Sequence, residues 1–197
     1  MRLARPIGRL ASMNWNWIGV LAAMLSLAAL PGACGAAGTL APDAAFAQFG
    51  GGSPTQTLTA GLQWTLPWRA SWAGGVASSY VEASLGRWRT SDQGVRHTEW
   101  VTQVGLTPVL RFRFDGGDSP WFAEAGIGVN VLAPVFRDGD REFSTAFNFG
   151  DHLGIGRSFG SAGRQELTLR FQHFSNAGIK HPNPGINFAQ LRYSVAF

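Results

Sequence analysis

From about residue 43 onward, apolar and polar positions alternate with a period of two, the mark of strands that present one apolar face. At 100–114, Trp100, Thr102, Val104, Leu106, Pro108, Leu110, Phe112 and Phe114 share one face, while Gln103, Arg111 and Arg113 share the other. In 121–131, Trp121, Ala123, Ala125, Ile127, Val129 and Val131 oppose Glu124 and Asn130. In 165–175, Leu167, Leu169, Phe171, His173 and Ser175 oppose Glu166, Thr168, Arg170 and Gln172. The end of the chain repeats the rule, with Ala189, Leu191, Tyr193, Val195 and Phe197 against Gln190, Arg192, Ser194 and Ala196. Together with the less regular stretches, this predicts eight strands at about 43–51, 55–67, 74–89, 97–114, 121–133, 147–159, 165–175 and 187–197, divided by turn-rich segments.

The start of the chain says what the apolar faces meet. Arg2, Arg5 and Arg9 precede an apolar run from Trp17 to Leu30, then Pro31 and the small residues Gly32 to Ala37. A basic head, a hydrophobic centre and a small-residue region form a secretory signal. The run is shorter than the ~20 residues of a membrane-spanning helix. We expect a signal segment at 1–40, cleaved between Ala36 and Leu40, and a mature domain at 41–197. Cutting after a second candidate, Ala45-Phe46-Ala47, would remove part of the first strand. Cys34, the one cysteine, would leave with the signal, so no disulfide is expected.

No long apolar run follows residue 40, and lipid requires every backbone group to be satisfied internally. Secretion, eight amphipathic strands and a terminal Phe therefore predict an all-β, eight-stranded antiparallel transmembrane barrel of the bacterial outer membrane. The competing architecture is a soluble β-sandwich with 187–197 as an edge strand. In the barrel, Arg111, Arg113, Glu124, Glu166 and Arg170 point inward and pair. The eight tryptophans, among them Trp64, Trp68, Trp72, Trp88, Trp100 and Trp121, suit interfacial girdles.

Charge then excludes one class. The chain carries 16 Lys and Arg against 12 Asp and Glu. Without Arg2, Arg5 and Arg9 the balance is 13 against 12, about +1. No basic face remains for nucleic acid. His97, His152 and His181 lack a second ligand at regular spacing, so each is read as a solvated surface residue and no metal site is expected.

The chemistry concentrates in His173-Phe174-Ser175-Asn176-Ala177-Gly178. His173 and Ser175 lie two residues apart on one face of a strand, roughly 6.5–7 Å along the chain. An imidazole can reach a serine hydroxyl across that gap, giving a nucleophile and its base. Both sit on the lipid-facing side, at the outer end of the seventh strand. Polar groups facing lipid are costly, which argues against a purely structural or interaction barrel.

That motif, followed by Pro182-Asn183-Pro184-Gly185-Ile186, together with Phe122 to Gly128 and Asn148-Phe149-Gly150-Asp151, resembles the lipid A 3-O-deacylases of the PagL type. The resemblance implies an eight-stranded outer-membrane esterase without a cofactor. It would remove the acyl chain from the 3 position of lipid A in lipopolysaccharide and could form a homodimer. The family's His–Ser–Glu triad maps to His173 and Ser175, but the acid position after Gly-Ile is Asn187 here. Three readings stay open: Asn187 in the third role, an acid from elsewhere, or a degenerate copy. Asn176 is read either as an oxyanion donor, with a backbone N–H of Ala177 or Gly178, or as a turn residue. Palmitoyl transfer onto lipid A would need a pocket inside the barrel, whereas this pair faces out.

Overall fold

Alternating segments bury their polar faces against one another when the sheet they form closes on itself. In a computed structural model, which describes residues 41–52, 54–91, 98–138 and 141–197, the strands are β1 (Ala44–Gly52), β2 (Thr55–Trp72), β3 (Gly75–Ser91), β4 (Thr98–Arg113), β5 (Trp121–Ala133), β6 (Arg137–Asp138), β7 (Arg141–Glu142), β8 (Phe147–Phe159), β9 (Gln165–Ser175) and β10 (Ile186–Ala196). Eight of them form a closed antiparallel barrel in the order β1-β10-β9-β8-β5-β4-β3-β2. β1 completes it, pairing Ala44 with Ala196 on one side and with Gln63 on the other. The expected signal segment, Cys34 and His97 lie outside the described residues.

Three features go beyond the pattern. β2 runs to Trp72 because the ladder slips between Thr65 and Arg69, which takes up Pro67 in an irregularity, where proline is tolerated in a sheet. The two-residue strands β6 and β7 form a hairpin inside the connection from β5 to β8, too short to show a period. Gly50 and Gly52 serve close approach, not turns: a Cβ there would lie 2.0 Å from the Ala189 carbonyl oxygen and 2.1 Å from that of Asn187.

The outside is a band of exposed Leu85, Leu106, Leu110, Ile127, Leu153, Leu169 and Phe171, as a lipid-facing surface requires. The lumen is ionic. Glu124 binds Arg170 at 2.6 Å and Arg111 at 2.9 Å. Glu82 binds Arg170 at 3.1 Å and Arg192 at 2.5 Å. Arg111 also reaches Glu166 at 2.9 Å, with Arg113 beside it at 3.4 Å. Every inward charge named from the alternation lies in this network.

Above it, towards the mouth formed by the β5–β8 and β9–β10 connections, Trp88, Phe174, Phe188 and Phe136 pack edge to face with centroids 4.8–5.8 Å apart. Phe143, Leu132, Val101 and Ile186 complete the cluster. Trp88 is thus corrected from girdle to core residue, its even position on β3 turning it inward. Trp68, Trp72 and Trp121 remain exposed near the opposite rim, and Trp100 near the mouth. His152 is corrected too. It is 3% exposed and faces the lumen, because it follows outward-facing Asp151 on β8.

Candidate active site

β9 carries His173 and Ser175 outward, between buried Gln172, Phe174 and Asn176. Strand register supplies the neighbours. Asn187 on β10 pairs with His173 on one side, and Asp151 on β8 pairs with it on the other. Across the first pair, His173 Nδ1 and Asn187 Oδ1 are 2.6 Å apart. A carboxamide oxygen only accepts, so Nδ1 carries the proton and Nε2 is left with a lone pair. That tautomer suits a general base.

The β9–β10 loop folds over the ring. Gly185 has φ +65°, and a Cβ there would lie 2.7 Å from His173 Cε1 and 3.4 Å from Nε2. A residue without a side chain is therefore required for the loop to close on the imidazole. Ser175 Oγ receives the Ala177 N–H at 3.4 Å. No hydrogen bond joins Ser175 to the ring in this arrangement. Such contacts are often loose without substrate and tighten in the complex.

The loop's own bonds engage the expected oxyanion donors. The Asn176 side chain is fully buried and its amide donates to the Lys180 carbonyl at 2.8 Å, Ser144 Oγ at 3.1 Å and Thr145 Oγ1 at 3.2 Å. Its Oδ1 accepts the Gly178 N–H at 3.0 Å. Both Asn176 and Gly178 are thereby engaged within the loop, as the reading of Asn176 as a turn residue expects. Asn183 Oδ1 accepts the Asn176 N–H at 3.0 Å, so this second motif asparagine is also an anchor. The Ala177 N–H is the loop donor directed at the nucleophile. His181 is exposed in the loop, and no group of three metal-ligating side chains stands together among the described residues.

Asp151 is the residue that motif reading passed over. Its signal was present: on β8, Phe147, Phe149, Leu153 and Ile155 face out, and Asp151 interrupts them with a carboxylate. At the Ile127–Asp151 end of the row Ile127-Asp151-His173-Asn187 an open apolar groove of about 690 Å³ runs along the outer wall, lined by Leu110, Ala125, Ile127, Asp151, Leu153 and Phe171.

Comparison with known proteins identifies the family. A family model described as lipid A 3-O-deacylase (PagL) matches residues 57–196. The lipid A deacylase PagL of Bordetella bronchiseptica is 34% identical over 149 residues, covering 76% of this chain and 80% of that protein. That of Pseudomonas aeruginosa is 33% identical over 159 residues, covering 79% and 86%. The crystal structure of the outer membrane enzyme PagL superposes with a TM-score of 0.66 at 30% identity, over 78% of this chain and 99% of that one. A barrel with this outward-facing row, matched along most of its length at this identity, belongs to the PagL family of lipid A 3-O-deacylases.

Proposed function

We propose that this chain is an outer-membrane ester hydrolase that removes the acyl chain at the 3 position of lipid A, with Ser175 as nucleophile, His173 as base and Asn187 as the group that orients it. The observation that carries the assignment of roles is the 2.6 Å contact from His173 Nδ1 to Asn187 Oδ1, two residues from a serine on the same lipid-facing side. With both chain ends at the periplasmic rim, the site lies in the outer leaflet, where an acyl chain joins a sugar headgroup.

His173 Nε2 takes the Ser175 hydroxyl proton as Oγ bonds to the ester carbonyl carbon, whose oxygen becomes the oxyanion. The Ala177 N–H faces that oxygen and stabilises its charge. When the intermediate collapses, the carbon–oxygen bond to the sugar breaks and the imidazolium returns its proton to the departing 3-hydroxyl. Water then repeats the sequence on the acyl-serine and releases the fatty acid. The apolar groove that begins at Asp151, the strand neighbour of His173, receives the chain. No cofactor enters.

Mass spectrometry of lipid A from cells expressing the protein tests this. Wild type should release the 3-linked chain, and Ser175→Ala and His173→Ala should each abolish release while the barrel stays folded and heat-modifiable on gels. Full deacylation by Ser175→Ala would overturn the nucleophile assignment. Residues 1–40 act as the signal in the same reading, and N-terminal sequencing of the mature protein should begin between Ala37 and Ala41. The homodimer that family resemblance implies is tested by crosslinking in membranes.

A further inference from the structure

As His173 takes the serine proton it becomes an imidazolium, and a neutral Asn187 cannot balance that charge. The row of side chains through the site holds a second neighbour of the ring. Asp151 on β8 pairs directly with His173 from the side opposite Asn187. Directly opposed residues of antiparallel strands have Cβ atoms about 4.5–5.5 Å apart. β8, β9 and β10 hold one carboxylate on their outward faces, Asp151, since Glu166 points into the lumen towards Arg111. The Asp151 side chain has no hydrogen bond or ion pair to another described residue, and Asp151 is exposed among Phe149, Leu153 and Ile155. A charge on a lipid-facing strand surface is costly and marks function more often than packing.

We infer that Asp151 is a positioning residue of the deacylation site, supplying from β8 the negative charge that the asparagine at 187 does not. It acts through His173, across the strand pair, and favours the imidazolium formed in the transition state over the neutral ring of the ground state. The other groups around the imidazole do not fill this role. β10 offers the neutral Asn187, the loop lays Gly185 over the ring, and the titratable side chains of that loop, Lys180 and His181, are cationic or neutral. On its own strand, Ser175 and Phe171 share the outward face.

The inference rests on His173 and Ser175 being base and nucleophile, a reading that the Ser175→Ala and His173→Ala variants test separately. Purified enzyme is assayed on lipopolysaccharide in mixed micelles. Asp151→Asn keeps the shape and removes the charge. It should lower kcat by about ten- to a hundred-fold, the effect of one charge some 5–6 Å away at intermediate dielectric, with KM little changed. Asp151→Glu should recover much of the loss. The decisive variant moves the charge to the other side of the ring: Asp151→Asn with Asn187→Glu should return kcat to near the wild-type value. Wild-type kcat in Asp151→Asn would overturn the inference. So would a rise in KM at constant kcat, which would make Asp151 a substrate-binding residue, or a folded double variant that stays as slow as Asp151→Asn. If Ser175→Ala itself stayed active, the site reading would have failed instead.

Discussion

The hydrogen bond from His173 Nδ1 to Asn187 Oδ1 selects the tautomer that leaves Nε2 basic, and it does so with a dipole at the position where the family resemblance implies a carboxylate. Orientation and charge are separable contributions in such a triad. Asn187→Ala removes orientation alone, so kcat should fall about ten- to a hundred-fold, less than the ~10⁴ lost when a native triad acid is amidated. Asn187→Glu adds charge to the same geometry and should maintain or raise kcat. Steady-state deacylation by both variants checks this, and an Asn187→Ala enzyme with unchanged turnover would leave Asn187 as only a strand-start residue. At Gly185, one added methyl group would meet the His173 ring at 2.7 Å, on a backbone with φ +65°. Gly185→Ala should therefore lower kcat at least ten-fold in a barrel that still folds, because either the loop or the imidazole must give way.

At the scale of elements, strands and loops differ in how far they can be read in advance. A period of two repeated over ten residues overrides local composition, so all eight barrel strands and the inward charges on β4, β5 and β9 were legible, as was the Ser–His pair on an outward face. Strand parity also contained the corrections, since it turns Trp88 and His152 inward. What one strand cannot reveal is its neighbour's register. Asp151 lies 22 positions before His173 in the chain and faces it only through the β8–β9 ladder. The loop hid its function for the same reason: Asn176 binds Ser144 and Thr145 from the β5–β8 connection, contacts without any local periodicity. Asn176→Ala removes the amide's bonds to Ser144, Thr145 and the Lys180 carbonyl and leaves the Gly178 N–H without its acceptor, while the two hydroxyls keep their own bonds to the Lys180 and Phe147 carbonyls; the loss is worth about 1–3 kcal/mol of loop stability. We expect faster hydrogen exchange at 176–185 and at 144–145, and reduced turnover, with the barrel strands as protected as in wild type.

Across the whole molecule, the proposed chemistry and the cohesion of the barrel occupy opposite sides of one wall. His173 and Ser175 face lipid, while the next residues on β9, Arg170 and Gln172, face the lumen. Arg170 is about 1% exposed and bridges Glu124, two strands away on β5, and Glu82 on β3, across the barrel. Its loss would leave two buried carboxylates short of their principal cation, and breaking a buried pair from one side costs about 3–5 kcal/mol. Arg170→Met should lower the temperature at which the folded barrel converts to its unfolded gel mobility, and do so far more than Glu166→Gln, whose side chain lies at the 13% exposed margin of the network. Below that transition, kcat for Arg170→Met should stay within a few-fold of wild type, since no lumenal group contacts the reacting atoms. Turnover measured beside the folded fraction on the same samples checks both halves. A large fall in kcat in fully folded Arg170→Met would show that the lumenal network tunes the outward site through β9, and that scaffold and chemistry are not independent in this barrel.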